Sequence, residues 1–217
     1  MNTPAANFDP IARPYRWMEY LSFGPWLQLC RCHFLPRLGN RRHALVLGDG
    51  DGRFTARLLR HVPNIQVEAV DASEAMLAQL RRGTHALSVT THCADARQWR
   101  PSQITYDLIA THFFLDCLQT AEVVDLAARL TPATAPNARW VISEFQTPPT
   151  AFGRIVAAPV VTLLYRAFRW LTGLEPQALP DHHTALAQAG WRFEAGHTHL
   201  WGLLVSELWQ RNPTRQP

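Results

Sequence analysis

The sequence predicts one α/β domain built on a doubly wound, mostly parallel sheet that ends in an antiparallel hairpin. Three observations carry this expectation. From residue 43 onward, short apolar runs alternate with amphipathic helical runs. The run Ala44-Leu45-Val46-Leu47 enters a loop with glycine at every second position, Gly48-Asp49-Gly50-Asp51-Gly52, and leaves it as a helix. Glycine lacks a Cβ and tolerates positive φ, so backbone at such a junction can approach a ligand closely. An acid, Asp71, then closes the next apolar run, at the spacing of about 20 residues found in nucleoside-binding α/β folds.

The elements follow in order. Residues 1–42 form a lead segment rich in aromatics and arginine, with short helices expected over Arg16–Phe23 and Pro25–Phe34, split at Gly24-Pro25. Strands are expected at His43–Leu47, Ile65–Val70, Ala86–His92, Tyr106–Thr111 and Arg139–Glu144. Helices are expected between them at Arg53–His61, Ser73–Arg82 and Thr120–Leu130. In the second of these, Ser73 is placed to cap the helix, and Met76, Leu77 and Leu80 share a face. The stretch Ala151–Leu174 breaks the alternation, being apolar and aromatic with Arg154, Arg166 and Arg169 interspersed. A helix then starts at Leu179-Pro180-Asp181 and runs to Ala189, ended by Gly190. Trp191–His199 and Leu203–Trp209, joined by a short link, read as an antiparallel hairpin.

Composition bounds the partners. The chain has 217 residues, 47% hydrophobic and 18% charged, with net charge +4. Its 21 basic residues are all arginine and scattered, so no dense basic tract points to nucleic acid. The four cysteines, Cys30, Cys32, Cys93 and Cys117, are too irregular for a disulfide framework, and Cys30 and Cys32 read as ordinary reduced thiols. The ten histidines show no zinc-ligand spacing, so no metal site is expected. Asp9 and Glu19 interrupt the start, which argues against a signal peptide. Ile155–Tyr165 is too short to span a bilayer. A cytoplasmic location is expected.

The ordered set of motifs resembles the class I S-adenosylmethionine-dependent methyltransferases, over roughly residues 43–210. The resemblance implies a Rossmann-like, seven-stranded sheet and S-adenosylmethionine as cofactor. It implies that Gly48, Asp49, Gly50 and Gly52 form the loop under the methionine part of the cofactor. Asp71 and Ala72 would meet the ribose hydroxyls, Asp95 and Ala96 the adenine, and Thr111 the mouth of the site. A nicotinamide-binding fold also uses glycines and a downstream acid, but the Gly-x-Gly-x-Gly loop, Asp95-Ala96 and the terminal hairpin depart from its fingerprint. One position departs from the methyltransferase pattern as well. The family usually carries an acid two residues before the first glycine, where Val46 stands here. Asp49 and Asp51 are the candidates to take its place. The alternatives are weaker cofactor binding, or a non-catalytic fold that binds the cofactor or a partner.

Methyl transfer is an in-line displacement, so positioning and exclusion of water matter more than acid–base groups. His112, with Asp116 four residues on, is the candidate base. The other reading of His112 is packing against the cofactor or a hydrogen bond to backbone. The opening Phe8-Asp9-Pro10-Ile11-Ala12-Arg13-Pro14-Tyr15 is similar to a segment of ubiquinone/menaquinone-type methyltransferases. That likeness implies a site role for Tyr15, and contacts of Arg13 and Arg16 with a carboxylate or an anionic substrate. The expected layout within 1–217 is therefore a helical lid over 1–42, a cofactor-binding core over 43–150, a helical substrate lid over 151–180, and the final helix and hairpin over 181–210. The segment 151–174 reads as a lid over a small hydrophobic molecule, as an interfacial helix on acidic lipid, or as a core helix.

Overall fold

The computed structural model describes residues 24–84, 89–101, 105–146 and 179–212. Seven strands form one sheet: β1 (His43–Leu47), β2 (Gln66–Asp71), β3 (Val89–Cys93), β4 (Tyr106–His112), β5 (Thr134–Phe145), β6 (Trp191–His199) and β7 (Leu204–Arg211). Their spatial order is β3-β2-β1-β4-β5-β7-β6. The pairs β1–β2, β1–β4, β2–β3 and β4–β5 are parallel, while β5–β7 and β6–β7 are antiparallel. The chain order reverses between β1 and β4, and the carboxyl ends of strands flanking such a switch point are where open α/β sheets bind ligands.

Five helices are described: α1 (Trp26–Cys32), α2 (Arg53–His61), α3 (Glu74–Thr84), α4 (Thr120–Leu130) and α5 (His182–Gln188). Successive strand residues point to opposite faces, and β1 shows the consequence. Leu45 and Leu47 join one core layer with Ile109, Leu126, Trp140 and Trp209, while Ala44 and Val46 join the other with Phe54, Leu58, Leu108 and Val141. A strand buried on both faces reads as a continuous apolar run.

The helix ends are set by local chemistry. Ser73 Oγ accepts the Met76 N–H at 3.2 Å, as its place before α3 predicts. Glu122 reaches back to the Gln119 N–H at 2.8 Å ahead of α4, and Asp181 Oδ1 accepts the Thr184 N–H at 3.0 Å at the start of α5.

The structure departs furthest from expectation at two strands, while β2, β4 and β7 shift by one or two residues. β3 is described from Val89, and the expected residues 86–88 lie outside the described residues. β5 begins at Thr134, earlier than Arg139, because the β4–β5 pairing continues past a register shift between Tyr106 and Leu108 to join Tyr106 with Thr134. Pro136 inside that extension has no N–H to give the ladder. The lead helix at Arg16–Phe23, Tyr15, Arg13, Arg16 and the segment 151–174 lie outside the described residues. Among the described residues no helix is long and apolar enough to cross a membrane.

Candidate functional site

The glycine loop runs from the end of β1 to the start of α2. Gly48, Gly50 and Gly52 have φ of +64°, +59° and +79°. A Cβ on Gly52 would meet the Leu80 backbone at 2.8 Å, so this glycine lets α3 pack against the start of α2. Asp49 turns back into the helix: its carboxylate accepts the Phe54 N–H at 3.3 Å and the Thr55 N–H at 2.8 Å. These are orphan donors of the first helical turn. Burial pushes the Asp49 carboxyl up, against the pull of those N–H groups. Asp51 pairs with Arg53 at 2.9 Å. Val46 is buried in the core. Both aspartates hold the loop to the start of α2.

Asp71 ends β2, and its Oδ1 accepts the Ser73 N–H at 2.9 Å. Its carbonyl accepts the Ala94 N–H at 3.0 Å, which ties the two acidic loops together. Asp95 accepts from the Arg97 backbone at 2.9 Å and from the Arg97 guanidinium at 2.7 Å. Burial raises this carboxyl, but Arg97 outweighs it and holds the group below its usual range. Ala72 is exposed, while Ala96 is buried and its carbonyl accepts from Arg129 at 2.7 Å.

The end of β4 corrects one expectation. Thr111 is fully buried, and its hydroxyl accepts the Trp140 indole N–H at 3.0 Å. It is a core residue, because the alternation along β4 turns it toward the tryptophan layer. His112, on the other face, is 3% exposed. Its ring lies 4.2 Å from that of Phe54. Its Nδ1 is 2.9 Å from Ser143 Oγ, whose own proton goes to the Cys30 carbonyl at 3.2 Å. Nδ1 therefore carries the hydrogen, and Nε2, buried without a partner among the described residues, holds the lone pair. Burial, then the Arg31 charge, hold this imidazole well below its ordinary pKa, so it is neutral.

Sequence reading missed the groups just beyond. Phe113 turns the chain at φ +54°, which bulky side chains rarely adopt. Its ring sits 5.1 Å from that of Phe145 and 5.1 Å below the Arg31 guanidinium. Glu144, at the end of β5, accepts the Leu115 N–H at 2.8 Å and the Phe114 N–H at 3.2 Å through Oε1. Its Oε2 is buried and has no hydrogen-bond partner among the described residues. Burial, then the charge of Asp116, push Glu144 well above the usual carboxylate range. Cys117 is also pushed up, by burial and then by Asp116, Glu144 and Asp71. Asp71 at the end of β2, Asp116 in the turn after β4 and Glu144 near the end of β5 thus act together on Cys117. An acid closing the apolar run Arg139–Glu144 was the signal available in the sequence. Arg31 had none, since only the packing of α1 brings it here. A concavity lined by Gly39, Arg41, His43 and Gln66 lies at the opposite end, where the strands begin.

Comparison with known proteins bears on the fold and on family likeness. The family described as a methyltransferase domain matches residues 44–137. A curated malonyl-[acyl-carrier protein] O-methyltransferase of Bacillus cytotoxicus is 35% identical over 82 residues, which are 36% of this chain and 28% of that protein's length. The N-methyltransferase NodS from Bradyrhizobium japonicum WM9, solved with S-adenosyl-L-homocysteine, superposes with a TM-score of 0.63 at 14% identity, over 85% of this chain and 87% of that one. The mitomycin 7-O-methyltransferase MmcR superposes with a TM-score of 0.65 at 19% identity, over 94% of this chain and 58% of that one.

Proposed function

We propose that the chain carries a class I S-adenosylmethionine-dependent methyltransferase domain at its core and that it transfers a methyl group to a small hydrophobic or anionic molecule. The observation that carries the proposal is the convergence of the glycine loop, Asp71 and the Asp116–Glu144 pair at one end of the sheet.

The residues present suit the cofactor. The positive-φ turn at Gly48, Gly50 and Gly52 at the carboxyl end of β1 suits a ligand at the switch point, and a focus of negative charge suits a cation. Gly48, Gly50 and Gly52 would underlie the amino-acid part, Asp71 and Ala72 the ribose, and Asp95 with Ala96 the base. S-adenosylmethionine, when bound, supplies an electrophilic methyl group on a sulfonium. The protein's own task is then to orient an acceptor in line and exclude water. Arg97 holds Asp95 ionised and fixed. His112, neutral and bonded to Ser143, braces the end of β4 against β5. Where the acceptor carries a proton at neutral pH, Glu144 Oε2 is the group suited to receive it, because its raised pKa brings it nearer the working range. Arg31 over Phe113 offers one cation on an aromatic surface, which favours a small apolar or anionic acceptor. The acceptors named for the malonyl-[acyl-carrier protein] and mitomycin enzymes support the same class.

Calorimetry with S-adenosylmethionine, S-adenosylhomocysteine and NADH tests this reading. Both sulfur ligands should bind, and Asp71→Ala should weaken them several-fold or more. Folded protein that gives no heat with either overturns the proposal, and heat with NADH alone favours an oxidoreductase. Binding without transfer to any small-molecule acceptor favours the non-catalytic reading, toward which the buried Val46 points.

A further inference from the structure

His33, His197 and His199 come from two distant parts of the chain and meet on one face of the sheet edge. β6 is the edge strand, and its pairing sets His197 opposite Ser206 and His199 opposite Leu204. Residues two apart on a strand share a face, and these two rings lie 4.6 Å apart. His33 follows the last turn of α1. Its ring stacks on that of His197 at 4.1 Å with an interplanar angle of 7°, and lies 5.3 Å from that of His199. One ring nitrogen from each of the three lies within 4.8 Å of the other two, and no carboxylate belongs to the group among the described residues.

Hydrogen bonds behind the cluster fix a tautomer. Ser206 Oγ donates to the Cys30 carbonyl at 2.8 Å, so it can only accept from His199 Nε2, 3.0 Å away. The neighbouring Cys30 thiol donates instead to the Val205 carbonyl at 3.3 Å. His199 therefore keeps its proton on Nε2 and presents Nδ1 as a lone pair. This matches the backing of metal-binding histidines, in which the second ring nitrogen is held by an outer hydrogen bond. Burial, then His197 and His33, hold His199 down at about 4, and burial, then His197, lower His33.

We propose that His33, His197 and His199 bind a divalent late transition cation such as zinc(II), with the remaining coordination positions open to water. Imidazole suits zinc, copper and nickel, whereas magnesium and calcium prefer oxygen ligands. Bonds of about 2.1 Å put tetrahedral ligand atoms about 3.4 Å apart. His197 is exposed and has room to turn its ring edge toward the ion. The second histidine group, His182 and His183 with Glu207, is satisfied without an ion: both carboxylate oxygens accept from the imidazoles, at 3.0 and 2.7 Å. The Cys30 thiol is pushed up to about 11 by burial and stays protonated. The Cys30 carbonyl also accepts from Ser143, which holds His112, so the cluster and the strand-end site share one support.

The test uses the full chain, cleared with a chelator, then titrated with zinc(II) by calorimetry and with cobalt(II) by absorption spectroscopy. One equivalent should bind, and the cobalt spectrum should show ligand-field bands without a thiolate charge-transfer band. His197→Ala, at an exposed position, should weaken binding by about tenfold or more, while His183→Ala should leave it unchanged. The proposal is overturned by any of three results: no saturable binding to the unsubstituted chain, unchanged affinity in His197→Ala, or a thiolate band. Methyl-donor binding is measured separately, so failure here leaves the methyltransferase reading standing.

Discussion

The ring of Phe114 lies so close over Gly48 that a Cβ there would meet its Cδ2 at 2.4 Å. Gly48 also has φ +64°, so it is required both by backbone conformation and by space. This contact couples the loop after β1 to the loop after β4 across the switch point.

Gly48→Ala should therefore lose stability on two counts: about 1–2 kcal/mol for the left-handed backbone and about 1–3 kcal/mol for the overlap. Urea denaturation should show a lowered midpoint. Calorimetry should show weaker S-adenosylmethionine binding in the fraction that remains folded. Unchanged values in both would show that the loop does not hold this geometry in solution.

Asp49 acts on α2. Asp49→Ala should remove about 1 kcal/mol by leaving the Phe54 and Thr55 N–H groups unpaired, and Asp49→Asn should lose less because an acceptor oxygen remains. Equal losses in the two variants would refute the capping role, with chemical denaturation as the measurement.

Glu207 should shape the acid limb of the stability curve. Burial raises its carboxyl, but His182, His183 and Trp209 outweigh burial and hold it at about 2. A carboxylate depressed in the folded state stabilises above its unfolded value of 4.5 and loses that contribution as pH falls toward 2. The full effect is about 3 kcal/mol. Glu207→Gln should flatten the denaturation midpoint between pH 5 and pH 2, about the window set by those two values. His183, raised by its hydrogen bond to Glu207, adds stability below its ordinary pKa of 6.5 that fades as pH rises through its higher folded value.

Glu144 has the opposite sign. Its pKa is raised by burial and Asp116, so its contribution is present below the unfolded value and is lost as pH rises through the folded one. Glu144→Gln keeps an oxygen for the Leu115 N–H and removes the buried charge. Thermal melts should show this variant gaining on the unsubstituted protein as pH rises from the unfolded value of 4.5 through the raised folded one. Calorimetry should show S-adenosylmethionine binding weakened, as expected when stability and function pull apart at a site. A melting difference that does not change with pH would contradict the assignment.

Local pattern carried most of the scaffold. β1, α2, α4 and β6 match the expected residue ranges, because each is bounded by an unambiguous stop such as Gly48, Gly52 or Gly190. β5 was read short because its first residues lack an apolar pattern and pair only through the neighbouring strand. The loops at Gly48–Gly52, Asp71 and Asp95 were readable because their spacing follows from strand and helix lengths. The fates of their side chains were not: Asp49 turns to the helix, Asp95 to Arg97, and Thr111 to Trp140.

By itself, the sequence determined the order of elements, the sheet and the glycine loop, since period, capping and turn chemistry act over a few residues. Only the tertiary structure decided that Glu144 faces Asp116, that Arg31 covers Phe113, and that His33 stacks on His197. Those meetings join residues far apart in the chain, and their energetics depend on burial and distance, neither of which is written in linear spacing.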